Sequence, residues 1–147
     1  MNKRTIPKVI YVIAALTALT ILRAQTLLFF PTLEMNGGVN PDAWLAPWVS
    51  DSILGLLVPV VIYFLFKGSG SKIWALLVMY SALGSFDYAN GLATQWSYPL
   101  STEIASSEFV FGSLISTLVF QLISTVLLFR SEVINYFLEQ DSQIIDS

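Results

Sequence analysis

The stretch VIYVIAALTALTILRAQTLLFF (Val9–Phe30) decides what kind of fold this chain adopts. It contains 22 residues, of which only Arg23 is charged. An α-helix needs about 20 predominantly apolar residues to cross the roughly 30 Å hydrocarbon core of a bilayer. The stretch therefore predicts a transmembrane helix that carries one arginine within the membrane.

Three further apolar stretches, at about residues 47–66, 73–93 and 109–129, predict three more spans of similar length. Over the whole chain 55% of residues are hydrophobic and 12% are charged, whereas a soluble domain carries about 25% charged residues. We therefore predict an all-α integral membrane bundle of four transmembrane helices, forming one domain over residues 1–138. The fourth helix is expected to continue to about Leu138, and the acidic residues 139–147 to form a disordered cytoplasmic tail.

The distribution of basic residues predicts the orientation of this four-span arrangement. Six of the seven basic residues fall on one side of the predicted membrane: Lys3, Arg4, Lys8, Lys67, Lys72 and Arg130. The two long loops on the other side contain no Lys or Arg. By the positive-inside rule both termini are cytoplasmic, and the expected location is the plasma (inner) membrane.

The N-terminal segment has an alternative interpretation as a secretory signal peptide, because a basic start precedes an apolar region. The best cleavage site would follow Ala24, but bulky Leu22 lies three residues before that cut and the apolar run continues after it. A retained first span is therefore preferred. Cleavage would leave three spans and remove Arg23.

Three charged residues are predicted to lie at one depth in the membrane. Counting from the inner basic residues, Arg23 lies 15 residues from Lys8, Asp87 lies 15 from Lys72, and Asp51 lies 16 from Lys67. At a rise of 1.5 Å per residue, each lies roughly 22–24 Å from the inner side. Because a charge facing lipid is costly, we expect Arg23 to pair with Asp51, Asp87 or both.

This charged layer is the candidate functional site. One arginine (+1) and two aspartates (−2) sum to −1, so either one carboxyl is protonated, a cation binds, or one carboxylate reaches water. A structural ion pair that fixes helix register is the competing interpretation. The candidate ligand- or ion-binding residues are Arg23, Asp51, Asp87, Tyr88, Asn90, Gln25 and Glu108.

The composition excludes several classes of function. The chain has no Cys and no His, which argues against disulfides, thiol chemistry, haem and most zinc sites, so we expect no metal and no cofactor. Its scattered basic residues do not indicate nucleic-acid binding. The favoured function is binding or conduction of a proton, small cation or small polar solute. The alternatives are an accessory or assembly subunit with structural charges and, less favoured, a lipid-modifying enzyme with two carboxylates. Expected partners are the lipid bilayer and either a homo-oligomer or a membrane partner subunit.

The third and fourth predicted spans each carry a row of small or polar residues at four-residue spacing. In the third span the row consists of Ser81, Ser85, Ala89 and Ala93. In the fourth it consists of Ser113, Thr117, Gln121 and Thr125. Such rows predict close helix approach and hydrogen bonds between or within helices.

Overall fold

The structure is a computed structural model that describes the backbone of residues 5–103 and 105–145 and the side chains of residues 5–103 and 105–138. The chain is all-helical, with 84% of residues in helix, and those ranges contain no strand. The predicted all-α class is thereby confirmed. Lys3 and Arg4, which contributed to the predicted orientation, lie outside the described residues, as do residues 146–147 of the predicted tail.

The first predicted span is a continuous but segmented helical stretch. Its segments are α1 (Lys8–Leu19), a 3-10 segment (Thr20–Gln25), α2 (Thr26–Phe29), a second 3-10 segment (Phe30–Thr32) and α3 (Leu33–Asn36). The stretch as a whole is long and apolar enough to cross a membrane. It continues beyond the predicted end because Pro31 lies in the first turn of a new helical segment, where proline needs no backbone donor.

Three longer helices follow: α4 (Asp42–Lys67), α5 (Ser71–Ser97) and α6 (Ser107–Leu128). α4 and α6 are also long and apolar enough to cross a membrane, whereas α5 has the length, 27 residues, but a more polar composition. The structure thus contains three to four helices that could span a bilayer.

The helices pack around an apolar core in the half of the protein where α1 and α5 begin. α5 contacts both α4 and α6, and α1 also contacts both of them. Large apolar side chains from all four helices fill this half completely: Ile10, Ile13, Val58, Leu65, Leu77 and Leu128. The described basic residues Lys8, Lys67, Lys72 and Arg130 lie at the helix ends nearest this core.

α5 approaches α6 closely at a glycine that lies beside the predicted row of small residues. A Cβ atom at Gly84 would lie 2.4 Å from Nε2 of Gln121. Ser81 of the predicted row is buried and Ser85 is half-buried, whereas Ala89 and Ala93 are exposed. The predicted close approach along this row is therefore wrong at its outer end. Burial of Tyr80 on the same face as Gly84 fixes the rotation of α5.

The chain beyond α6 forms a separate helix, α7 (Ser131–Ile145), and not an extension of the fourth span. Val133 and Phe137 are fully buried in the apolar core, and the backbone N–H of Gly70 donates to the carbonyl oxygen of Phe137 at 2.8 Å. The predicted continuation of the fourth helix to Leu138 is therefore wrong, because these apolar side chains pack back against the start of α5. The backbone of residues 139–145 is helical, and a domain boundary at residue 139 stays a prediction.

The two loops at the opposite end are joined to each other. The indole N–H of Trp44 donates to the carbonyl oxygen of Tyr98 at 2.7 Å. The backbone N–H of Ser101 donates to the carbonyl oxygen of Asn36 at 3.2 Å. A Cβ at Gly38 would lie 2.0 Å from the carbonyl oxygen of Pro99, and Gly38 has a φ of +70° that favours glycine. These contacts hold the loops over the ends of α4 and α5.

Candidate functional site

Arg23 lies in the 3-10 segment of the first helical stretch, which turns its side chain into the protein. The Thr20 hydroxyl donates to the carbonyl of Thr17 at 2.7 Å, and the Thr26 hydroxyl donates to the carbonyl of Arg23 at 2.8 Å. Threonine hydroxyls that bond carbonyls three residues earlier fit the tighter 3-10 turn. The result is a buried arginine in a stretch whose neighbours Ile21 and Leu22 are exposed.

A glycine on α4 allows this segment to approach closely. A Cβ at Gly55 would lie 2.5 Å from the backbone nitrogen of Ala24 and 2.8 Å from its Cα. The hydroxyls of Thr26 and Ser52 lie 2.8 Å apart and tie the same two elements together. The 3-10 segment therefore packs directly on α4, one turn from Asp51.

Arg23 binds both aspartates that the sequence places at its depth. Its Nε donates to Oδ1 of Asp51 at 2.8 Å, and its Nη2 lies 2.7 Å from the same oxygen. Nη2 also donates to Oδ2 of Asp87. The Arg23 side chain is 1% exposed, that of Asp87 8% and that of Asp51 19%. The predicted pairing of Arg23 with both carboxylates is confirmed, and we call these three residues the charged cluster.

Two further side chains contact the charged cluster. The Ser50 hydroxyl donates to Oδ1 of Asp87, and the guanidinium carbon of Arg23 lies 4.3 Å from the centre of the Tyr88 ring. That distance is within the range of a cation–π contact. Nη1 of Arg23 is buried and has no hydrogen-bond partner among the described residues.

The cluster carries a net charge of −1 when all three groups are ionised, because one positive group faces two negative groups. Arg23 and Asp87 are almost completely enclosed, whereas Asp51 keeps a fifth of its side chain exposed. Any compensating positive charge or water therefore reaches the cluster most directly at Asp51.

A cavity of about 450 Å³ adjoins the charged cluster. Its walls come from the outer part of the first helical stretch, the start of α4, the end of α5, the loop after α5 and the start of α6. Most of the lining is apolar, with Trp48, Phe29 and Phe109 among the aromatic residues. The polar lining includes Asp51 and Ser113. Apolar walls with a few convergent polar groups are typical of small-molecule sites.

We infer that the rim of the cavity lies between the first helical stretch and α6, because Leu22 and Phe109, which line the cavity from these two elements, are largely exposed. The inner segment, α1, packs against α6, whereas the 3-10 segment packs chiefly against α4. The two elements therefore diverge toward the loop end. Leu22 on one side of the gap is 66% exposed, and Phe109 on the other is 70% exposed, so apolar side chains border the opening.

The structure brings together only some of the sequence-predicted site residues. Tyr88 joins the charged cluster, and Gln25 lines the cavity with an exposed side chain. Asn90 and Glu108 are exposed and do not line the cavity. Asn90 lies on the outer face of α5, and Glu108 lies in the first turn of α6. Their binding roles stay predictions that this geometry does not favour.

Two residues at the site were not predicted from the sequence: Trp48, which lines the cavity, and Ser50, which bonds the charged cluster. Trp48 is buried, and its ring lies 6.4 Å from that of Phe29 and 6.2 Å from that of Phe30. From sequence it is indistinguishable from an aromatic anchor at the membrane surface. Ser50 directly precedes Asp51 in α4, but its hydroxyl faces Asp87 on α5. That contact depends on how α4 is rotated about its axis, which the sequence does not give.

Comparisons with known protein families, with curated proteins and with solved structures find no match to this chain.

Proposed function

We propose that this protein is a multi-pass membrane protein that binds a small polar or charged solute in the cavity beside the charged cluster. The observation that supports this proposal is the convergence of Asp51, Asp87 and Arg23 on one cavity of about 450 Å³. That volume lies within the range of roughly 300–1,000 Å³ found for small-molecule sites. A proton or a bare metal ion needs far less space, so an organic solute is the better fit.

In this proposal α5 also spans the membrane, which makes four spans in all, and both termini are cytoplasmic. α5 has 27 residues, about 40 Å of helix, and it packs between α4 and α6. A helix of that length between two apolar spans crosses the membrane with them. Its one mid-helix charge, Asp87, is paired with Arg23, which lowers the cost of placing it in the membrane. Apart from Arg23, the described basic residues gather at the opposite end from the cavity, so the positive-inside rule favours a cavity in the outer half of the membrane.

Binding is favoured over conduction for a single copy of the chain. The inner half is filled by fully buried apolar side chains such as Val58, Leu65 and Leu77. A solute at Asp51 would have to displace these side chains to reach the inner side. Transport across the membrane would therefore require a second conformation or a second copy of the chain.

A second candidate function is that of an accessory subunit of a membrane complex, with the charges as structural elements. The observation in its favour is that Arg23 already bonds both carboxylates, as expected of an ion pair that fixes helix positions. Under this alternative the cavity is filled by lipid or by a partner subunit and is dry.

A single-cysteine experiment separates the two functions, and it is clean because the chain has no Cys of its own. Ser113→Cys places a thiol on the cavity wall, whereas Ser116→Cys places one on the same helix outside the cavity. Only a thiolate reacts with N-ethylmaleimide, and apolar surroundings keep a thiol protonated. The permeant reagent reaches both positions, so the rate reports hydration of each site.

For a hydrated solute site we expect Ser113→Cys to react at least about tenfold faster than Ser116→Cys in proteoliposomes, because only the cavity admits water to the thiol. Equal, slow reaction at both positions would contradict the proposed function and support the structural alternative.

A further inference from the structure

We infer that the solute is a compact organic cation with an apolar body, such as an aryl or alkyl ammonium ion, that enters from the outer leaflet. This inference rests on the proposed function and adds the chemical class of the ligand. It follows from the charge of the cluster, the aromatic walls of the cavity and the position of its rim.

Charge complementarity favours a cation. When all three groups are ionised the cluster sums to −1, because Asp51 and Asp87 share one arginine. A low-dielectric surrounding disfavours an uncompensated charge, and a bound cation would compensate it. Arg23 is enclosed by its partners and by the Tyr88 ring. The partly exposed group at the cavity is thus the carboxylate of Asp51, and not the guanidinium.

The walls favour an organic cation over a hydrated metal ion. Three aromatic residues, Trp48, Phe29 and Phe109, are among those that line the cavity. Aromatic rings attract ammonium groups within about 6 Å of the ring centre, and they offer no oxygen ligands to a metal ion. A cation whose charge is spread over methyl groups also loses less hydration on entry than a small inorganic ion.

The rim favours a ligand that is soluble in the membrane. Leu22 and Phe109 border the gap between the first helical stretch and α6, and both are largely exposed. At the loop end the cavity is lined by Leu100 and Ala105 of the loop after α5. An amphipathic cation resting in the outer leaflet would therefore meet the sideways opening directly.

Three molecules of the same shape but different charge provide the test. Phenyltrimethylammonium is the cation, tert-butylbenzene is its neutral isostere, and benzenesulfonate is an anion of similar size. Each is added at increasing concentration to the Ser113→Cys protein in proteoliposomes, and the concentration that halves the rate of N-ethylmaleimide labelling is recorded. Occupancy of the cavity slows the labelling, so protection reports binding at this site.

We expect the cation to protect at a concentration at least about tenfold below that of the neutral isostere, which is the ratio that a modest charge and cation–π preference gives. Asp51→Asn in the Ser113→Cys background should abolish this preference and leave protection by tert-butylbenzene unchanged. Comparing the same compound across variants cancels its partitioning into lipid. Glu108→Gln is the matched control, because it removes one outer carboxylate that does not line the cavity, and it should preserve the preference.

A second variant covers the case in which Asp51→Asn does not fold. Thr117→Trp fills the cavity wall without altering charge, and it should abolish protection by both the cation and the neutral isostere. Equal protection by all three compounds, stronger protection by benzenesulfonate, or no protection by any of them would overturn the inference while the fast labelling of Ser113→Cys still supports a hydrated cavity. A Ser113→Cys protein that does not react at all would instead overturn the proposed function, and the inference with it.

Discussion

Removal of the Arg23 charge should be one of the most destabilising single changes in this protein. Arg23→Gln leaves the carboxylates of Asp51 and Asp87 facing each other with their shared guanidinium gone. Breaking a buried ion pair by removing one partner costs about 3–5 kcal/mol, because the remaining charge is buried without compensation. Asp51 can relax toward the cavity, so we expect a loss of about 3 kcal/mol, near the lower end of that range.

The neutral triple variant Arg23→Gln, Asp51→Asn, Asp87→Asn should recover most of that loss. With no charge left to desolvate, three amides can bond one another in the same space, and replacing a whole buried ion pair is often close to neutral. We therefore expect the triple variant to be more stable than Arg23→Gln by about 2 kcal/mol or more. Reversible unfolding by a denaturing detergent in mixed micelles measures both differences.

Arg130→Gln is the control for this experiment. Arg130 also contacts a carboxylate, that of Glu132 at 3.2 Å, but both side chains are exposed. Exposed pairs contribute about 0–1 kcal/mol, so this variant should unfold near the wild-type midpoint. Equal effects of Arg23→Gln and Arg130→Gln would contradict the prediction that the buried cluster stabilises the protein. A triple variant no more stable than Arg23→Gln would contradict it as well.

Two further predictions concern packing. Gly55→Ala should destabilise the protein by about 1–3 kcal/mol, because the new methyl meets the backbone of Ala24. The control Gly112→Ala should not destabilise it, because a methyl there meets nothing within 4 Å. A similar effect of the two substitutions would contradict the close approach of the 3-10 segment to α4. Phe137→Ala should cost about 3–5 kcal/mol by opening the core beneath α7, whereas exposed Leu138→Ala should cost about 0.5 kcal/mol. The same detergent titration measures both pairs, and a small loss at Phe137 would show that α7 is not docked.

The charged cluster could be predicted from sequence because it depends on only two quantities, the rise per residue of an α-helix and the sequence positions of the inner basic residues. The rise of an α-helix and the positions of Lys8, Lys67 and Lys72 place Arg23 and both aspartates at one depth. The cost of a charge in lipid then predicts that they pair. Neither the depth of these residues nor the cost of leaving them unpaired depends on how each helix is rotated about its axis.

Two features of the structure differ from what the sequence predicted. One depends on the rotation of α5 about its axis, and the other on the turn of the chain between α6 and α7. Asn90 lies three positions after Asp87, yet Asp87 is buried and Asn90 exposed, because the packing of Tyr80 and Gly84 fixes which face of α5 turns inward. The separate helix α7 depends on a break at Phe129 and Arg130 that contains neither Gly nor Pro. The spacing of Tyr80, Gly84 and Asp87 does indicate the buried face of α5, but it does not exclude Asn90 from that face.

The location of a bound cation tests the central claim most directly. A crystal structure of the protein grown in lipid with 4-bromophenyltrimethylammonium gives the bromine position from its anomalous scattering. The proposed site predicts a bromine peak in the cavity between the first helical stretch and α6, with the ammonium group beside Asp51 and the ring against Trp48. Continuous acyl-chain density filling that cavity, with no bromine peak there at saturating ligand, would contradict it.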